Sequence, residues 1–72
     1  MNYKVFDDAI LLKLLKAGDG AALEEIYFRY SETVFVSALK KVRHKEIAEE
    51  LVQNLFIRLW VKREELNIQQ LE

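Results

Sequence analysis

Apolar residues recur at helical spacing in three stretches of this sequence, and two breaks separate the stretches. After Asp7 or Asp8, either of which can cap a helix, a short stretch has its apolar side chains on one face: Ile10, Leu11, Leu14 and Leu15. The two glycines of the chain then bracket Asp19. Because a glycine at the C′ position ends a helix and an aspartate starts the next, Gly18-Asp19-Gly20 predicts a break between two helices.

The second stretch keeps helical spacing for about six turns and has two apolar stripes. The first stripe consists of Leu23, Ile26, Tyr27, Tyr30, Val34, Ala38 and Val42. The second stripe consists of Phe28, Phe35 and Leu39. A helix that is apolar on two sides usually lies between two partners, and the short first helix cannot cover both stripes. We therefore expect the second stripe to stay open and to drive self-association of the chain.

The third stretch is predicted to form a helix from Glu46 to Glu65, after a boundary near His44. Basic residues before this boundary and acidic residues after it suit the dipoles of a helix end and of the next helix start. At about 100° per residue, the predicted core face centres on Ala48, Leu51, Leu55 and Leu59, flanked by Ile47, Val52 and Phe56. A further break is expected at Asn67.

The opposite, polar face of the third helix has a mixed composition around Gln53. Five residues lie within about 60° of it: Glu46, Glu49, Glu50, Ile57 and Trp60. Two interpretations are open, because Trp60 either folds over the helix end as a partly exposed aromatic residue or belongs to a strip that binds a protein. The carboxylates would suit an arginine-rich partner, whereas they would repel the phosphates of DNA.

Composition agrees with one small all-α domain of three helices, short, long and long. Ala, Glu, Lys, Leu and Arg make up about half of the 72 residues, and proline is absent. A net charge of −1 gives no global positive field for nucleic acid. The absence of cysteine excludes disulfides and thiolate chemistry, and the single His44 lacks a second metal-ligating histidine. No catalytic constellation is visible, so we expect neither an enzyme nor a cofactor or metal site.

No segment of the sequence is typical of a membrane span or of a secretory signal. The longest apolar run is Ala9 to Leu12, far below the roughly 18 residues that a span requires. The N-terminal segment becomes acidic at Asp7 and Asp8, where a signal peptide would become apolar. The predicted location is therefore the cytoplasm.

Two ordered segments resemble a known protein family. Residues Ala17 to Tyr30, AGDGAALEEIYFRY, resemble the "AGDxxAFEELYRRY" opening of sigma-70-family factors of the extracytoplasmic-function (ECF) type. Residues Ala48 to Trp60, AEELVQNLFIRLW, are similar to the "AEDLVQEVFLRLW" segment of that family, known as region 2.2. The spacing of the two segments also fits, and the resemblance covers residues 7–66. It implies that residues 1–72 are a three-helix, truncated part of the helical bundle of sigma region 2.

The resemblance also implies a partner, since these factors direct bacterial RNA polymerase to promoters and region 2.2 docks on the coiled coil of the β′ subunit. The docking motif Asp-Leu-x-Gln-Glu falls on Glu50, Leu51, Gln53 and Asn54, with Trp60 further along the same face. Glu50 replaces the usual aspartate, and Asn54 replaces the usual glutamate, which removes a carboxylate. The implied polymerase-binding set is Glu49, Glu50, Gln53, Asn54, Ile57 and Trp60.

Two further partners are implied by the same resemblance. One is an anti-sigma factor, and the other is promoter DNA. The DNA would be contacted only through a further helix and a second domain that follow this part of the family's fold.

Two other classes of protein remain as alternatives. One is a helix-turn-helix DNA-binding protein, which the long second helix and the acidic start of the third helix disfavour. The other is a small helical module that associates with itself, which the two apolar stripes of the second helix favour.

Overall fold

The computed structural model of the protein describes residues 2–65, which form three α-helices and no strand. The helices are α1 (Asp8–Lys16), α2 (Gly20–Val42) and α3 (Lys45–Val61). A 3-10 turn precedes them at Tyr3–Val5 and another follows them at Arg63–Glu65. The predicted all-α, three-helix fold is confirmed, while the break expected at Asn67 lies outside the described residues. No helix of the described part is both long and apolar enough to cross a bilayer.

The break between α1 and α2 forms as its short-range chemistry predicts. The Asp7 carboxylate caps α1 by accepting a hydrogen bond from the backbone N–H of Ile10 at 2.9 Å. Gly18 ends α1 with a φ of 95°, in the left-handed region that disfavours any side chain. The Asp19 carboxylate then caps α2 by accepting from the N–H groups of Ala21 and Ala22.

The junction of α2 and α3 lies at the predicted boundary. Arg43 ends α2 in the left-handed conformation, with φ 54° and its N–H donating to the carbonyl of Leu39. His44 is the N-cap of α3, and its Nδ1 accepts from the N–H of Ile47 at 3.4 Å. The predicted helix from Glu46 to Glu65 is slightly too long, because α3 ends at Val61 and a 3-10 turn replaces its last residues.

The core joins all three helices at the N-terminal half of α2. Its buried residues are Leu11 and Leu15 of α1, Ala22 and Ile26 of α2, and Val52 and Phe56 of α3. The Phe56 ring meets Tyr27 edge to face, with ring centroids 4.9 Å apart. Both α1 and α3 therefore pack against α2, and Leu11 and Leu15 of the predicted α1 face are fully buried.

The N-terminal turn is fastened to the helices by polar contacts that local sequence pattern does not indicate. The hydroxyl of Tyr3 donates to the Asp19 carboxylate at 2.6 Å. The Arg29 guanidinium donates to Glu25 at 2.8 Å, to Asp8 at 3.0 Å and to the backbone carbonyl of Phe6 at 2.7 Å. Arg29 thus connects α2 to α1 and to the chain that precedes it.

The predicted core face of α3 is wrong in its rotation. The buried residues are Ala48, Val52 and Phe56, whereas Leu51 and Leu55 are 45% and 47% exposed. Since α3 has apolar residues on nearly every side, a helical wheel does not define one core face. The contact of Phe56 with Tyr27 on α2 selects the face that is buried.

The second apolar stripe of α2 is not left open as a whole. Phe35 is half-buried and packs against the core, and Leu39 is also half-buried. Only Phe28 is largely exposed, at 72%, and the Lys4 ammonium lies 5.5 Å from its ring centroid. The stripe expected to drive self-association is therefore reduced to one ring, because α2 turns Phe35 towards the core that α3 completes.

Candidate protein-binding surface

The outer face of α3 is the side of this helix that α1 and α2 leave uncovered. Buried residues recur every four positions at Ala48, Val52 and Phe56, so the residues between them form a continuous exposed surface. We define this outer face by its exposed residues: Glu46, Ile47, Glu50, Leu51, Gln53, Asn54, Leu55, Ile57, Arg58 and Val61. It combines charged, amide and aliphatic side chains, a mixture that protein-binding surfaces also have.

Four of the six residues predicted as a polymerase-binding set lie together on this face. They are Glu50, Gln53, Asn54 and Ile57. Glu49 is also exposed, but it lies beside α2, where it lines an open cleft together with Gln53. The α2 wall of that cleft consists of Tyr27, Ser31, Glu32 and Phe35. Gln53 therefore lies at the edge that the cleft shares with the outer face, where a protein bound to either surface could contact it.

Trp60 does not lie on the outer face. Its ring is half-buried and packs against the core, and the Arg63 guanidinium carbon lies 4.3 Å from the ring centroid. Arg63 also donates from Nη1 to the carbonyl of Trp60 at 2.9 Å. The structure thus places Trp60 over the helix end as a partly exposed aromatic residue.

The 3-10 turn after α3 explains why the Trp60 ring is partly covered. It brings Arg63 back towards the α1–α2 break, where Nε of Arg63 would lie 3.8 Å from a Cβ on Gly18. The ring is consequently covered by a cation on one side and by the core on the other. The spacing of Trp60 and Arg63, three residues apart, is the signal that could have predicted this contact from the sequence.

Apart from Ile57, which the wheel had placed near Gln53, the exposed aliphatic residues are the part of the surface that the wheel missed. Ile57 and Val61 are 60% and 68% exposed, and Ile47, Leu51 and Leu55 are each almost half exposed. Leu51 and Leu55 also line a second groove, whose other wall is formed by Val34, Ala38 and Val42 of α2. The mistaken rotation of α3 had assigned Leu51 and Leu55 to the core.

Charge is distributed unevenly along the outer face. Glu46 and Glu50 lie in its N-terminal half, whereas Arg58 and the following Lys62 lie at its C-terminal end. None of these four side chains forms an ion pair within residues 2–65, where the ion pairs are those of Arg29 with Asp8 and Glu25. The outer face is thus acidic at one end and basic at the other.

The basic residues at the α2–α3 junction, Lys40, Lys41 and His44, suit the helix ends on which they lie. Lys40 and Lys41 occupy the last turn of α2, where positive charge suits the helix dipole, and His44 caps α3 through its ring nitrogen. Among residues 2–65, no group of three or more carboxylate or imidazole side chains is close enough to hold a metal ion.

Fold and surface together define a small three-helix protein with one mixed apolar and charged helix face. The chain matches no family model, no curated protein and no solved structure.

Proposed function

We propose that this chain is the polymerase-docking part of region 2 of an ECF-type sigma factor. In this proposal the outer face of α3 binds the coiled coil of the β′ subunit of core RNA polymerase. The protein acts in the cytoplasm in promoter-specific transcription initiation and catalyses no reaction itself. An anti-sigma factor is a second partner, and promoter DNA is contacted by other parts of the sigma factor.

The observation that carries the proposal is the common exposure of the docking-motif positions. Glu50, Leu51, Gln53 and Asn54 are all exposed on the outer face of α3. A motif that served only to pack the core would have its leucine buried, yet Leu51 is 45% exposed. This leucine together with Ile57 supplies apolar area, and the polar residues around them supply directional hydrogen bonds.

The chemistry of the surface fits a helical, arginine-containing partner such as a coiled coil. A carboxylate accepts both N–H groups of a guanidinium, so Glu46 and Glu50 can bind arginine side chains bidentately. Asn54 offers an amide where a second carboxylate of the docking motif is usual. We therefore expect a contribution of charge to this interface that is smaller than in a motif with two carboxylates.

DNA binding by these residues is the less favoured alternative. A helix-turn-helix protein inserts the N-terminal part of its second helix into the major groove, close to phosphates. In this protein that part of α3 exposes Glu46, Glu49 and Glu50. Three carboxylates in this position oppose the approach of a phosphate backbone.

Calorimetric titration of the chain with a β′ coiled-coil fragment tests the proposal. Gln53→Ala removes an interface amide and should weaken binding by about 1–3 kcal/mol, which is roughly 5- to 150-fold. Glu50→Ala should weaken it as well. Glu24→Ala is the matched control, because Glu24 is an exposed glutamate on α2.

Circular dichroism of each variant should remain unchanged, since all three side chains are exposed. An unchanged dissociation constant for Gln53→Ala and Glu50→Ala would contradict the docking surface. Salt-dependent binding of duplex DNA by the same chain, without binding of the coiled coil, would favour the helix-turn-helix alternative.

A further inference from the structure

We propose that the chain forms a two-fold symmetric dimer in which the outer faces of two α3 helices pack antiparallel, centred on Asn54. This inference rests on the exposed residues of α3 and their order, and it does not depend on the proposed polymerase docking. It names a second copy of this chain as the occupant of the outer face.

Charge complementarity is the first argument for this pairing. Five exposed residues recur every four positions along the helix: Glu46, Glu50, Asn54, Arg58 and Lys62. When a second helix runs antiparallel about Asn54, residues equally distant from Asn54 lie opposite each other. Glu50 then faces the partner's Arg58, and Glu46 faces the partner's Lys62. Each dimer thus contains four such pairs of opposite charge, whereas a parallel pairing would place like charges opposite one another.

The single chain leaves these charges in an unfavourable arrangement. Glu46 and Glu50 are four residues apart on α3, Arg58 and the C-cap residue Lys62 are four apart at its end, and like charges at this spacing repel. None of the four has an ion-pair partner within the described part of the chain. Antiparallel pairing places an opposite charge beside each of them without breaking any ion pair of the monomer.

Apolar residues follow the same symmetry. With Asn54 at the axis, Leu51 lies opposite the partner's Ile57, and Ile47 lies opposite the partner's Val61. Each of these four residues is at least 45% exposed, so each has apolar surface to bury. Two apolar rows therefore flank the charged row, one on each side, in both copies.

Asn54 gives the pairing its register. At the two-fold axis its amide faces the partner's Asn54, and two amides can donate and accept reciprocally. A shift of one helix by four residues would place Asn54 opposite the partner's Arg58 or the partner's Glu50, and it would leave two of the four pairs of opposite charge. A polar residue at one position of a helix interface commonly selects register in this way.

Charge reversal tests this geometry, with the association state measured by sedimentation equilibrium over a wide concentration series. The natural chain should show a monomer–dimer equilibrium. Glu50→Lys alone and Arg58→Glu alone should each raise the dimer dissociation constant at least about tenfold, because each places like charges opposite one another. The two substitutions together should restore dimerisation, since they only exchange the charges of the pair.

The matched control for the single reversal is Glu24→Lys, at an exposed glutamate on α2, which should leave the dimer unchanged. Circular dichroism verifies that each variant is folded, and all the substituted residues lie outside the core. Phe28→Ala distinguishes the outer face from the exposed aromatic ring on α2, and it should leave the dissociation constant unchanged.

Two outcomes would overturn the proposal. The first is a single monomer mass at every concentration. The second is a dimer that the single reversals do not weaken or that Phe28→Ala abolishes.

Discussion

At the scale of single residues, one hydrogen bond connects the N-terminal turn to the start of α2. The Asp19 carboxylate accepts from the Tyr3 hydroxyl and from the N–H groups of Ala21 and Ala22. The Tyr3 hydrogen bond, followed by the two backbone donors, lowers the pKa of Asp19, and partial desolvation opposes them. The same hydrogen bond, partial burial and the nearby negative charge together raise the pKa of Tyr3. Both shifts favour the pair in its native form, a carboxylate and a neutral phenol.

This pair predicts a pH dependence of stability with opposite signs at the two extremes. Because folding lowers the pKa of Asp19, the full contribution of this carboxylate to the free energy of unfolding is present above its unfolded pKa of about 3.9. That contribution is lost as the pH falls through the folded pKa. Because folding raises the pKa of Tyr3, the full contribution of its neutral hydroxyl to the free energy of unfolding is present below about pH 10. That contribution is lost as the pH rises through the folded pKa. Tyr3→Phe should therefore be less stable than the natural chain between these limits.

Urea denaturation at a series of pH values measures this difference, which should shrink below about pH 4 and above about pH 10. Tyr27→Phe is the control, because it keeps the ring that contacts Phe56 and leaves the Asp19 cap intact. A difference between Tyr3→Phe and the natural chain that is the same at every pH would show that the hydrogen bond does not shift either pKa.

At the scale of the elements, sequence predicts the helix ends better than the helix faces. The ends depend on neighbouring residues, such as Gly18 with its positive φ and Asp19 as N-cap, and these act within one turn. The N-terminal turn was not predicted, because the Arg29 guanidinium that binds it lies more than 20 residues away. The face of α3 depends on which side chain fits α2, and periodicity cannot decide this for a helix that is apolar on several sides.

The same distinction applies to the candidate surface. Glu50, Gln53 and Ile57 share a helix face because 100° steps along one helix are fixed by its geometry, and the wheel therefore placed them together. Trp60 also belongs to α3, but the cover of its ring depends on Arg63 in the turn beyond the helix, which a wheel does not include. The exposure of Ile47, Leu51 and Leu55 can be inferred only when the buried face of α3 is known.

Two neighbouring alanine substitutions test the rotation of α3. Phe56→Ala removes a ring that is 7% exposed and should lower the free energy of unfolding by about 3–5 kcal/mol. Leu55→Ala removes a side chain that is 47% exposed and should cost only about 1 kcal/mol. The core of a chain of this size rarely supplies more than about 3–5 kcal/mol, so Phe56→Ala should leave much of the protein unfolded.

Chemical denaturation followed by circular dichroism compares the two variants, and both substitutions place the same residue in the same helix. The helical wheel alone predicts the reverse order, with Leu55 central to the core and Phe56 at its edge. A larger loss for Leu55→Ala than for Phe56→Ala would therefore restore the face that the sequence pattern suggested.

At the scale of the whole molecule, the face of α3 that packs in the core and its exposed outer face lie on opposite sides of the helix. Ala48, Val52 and Phe56 are the buried residues of this helix, and no residue of the outer face belongs to the buried core. Substitutions on the outer face can consequently change association without unfolding the chain. The two proposals, docking on the β′ coiled coil and antiparallel dimerisation, both use Glu50, Asn54 and Ile57 on this face. One outer face cannot accommodate both partners at once.

Competition between the two partners is therefore expected when both proposals hold. The apparent affinity for the coiled coil equals the intrinsic affinity multiplied by the fraction of free monomer, so it should fall as the chain concentration rises above the dimer dissociation constant. Glu50 contributes to both interfaces, whereas Arg58 follows the docking motif and contributes to the dimer. For Arg58→Glu, the apparent affinity for the coiled coil should thus begin to fall only at chain concentrations at least about tenfold higher.

Sedimentation velocity with a fluorescently labelled β′ coiled-coil fragment measures this competition, because it separates free fragment, one-to-one complex and larger assemblies. Increasing fragment should convert the dimer of the natural chain into a one-to-one complex. Added salt should weaken the dimer and thereby bring the apparent affinities of the natural chain and of Arg58→Glu closer together. An assembly that contains two chains and the fragment would show that dimerisation and coiled-coil binding use separate surfaces. That result would contradict competition for the outer face of α3.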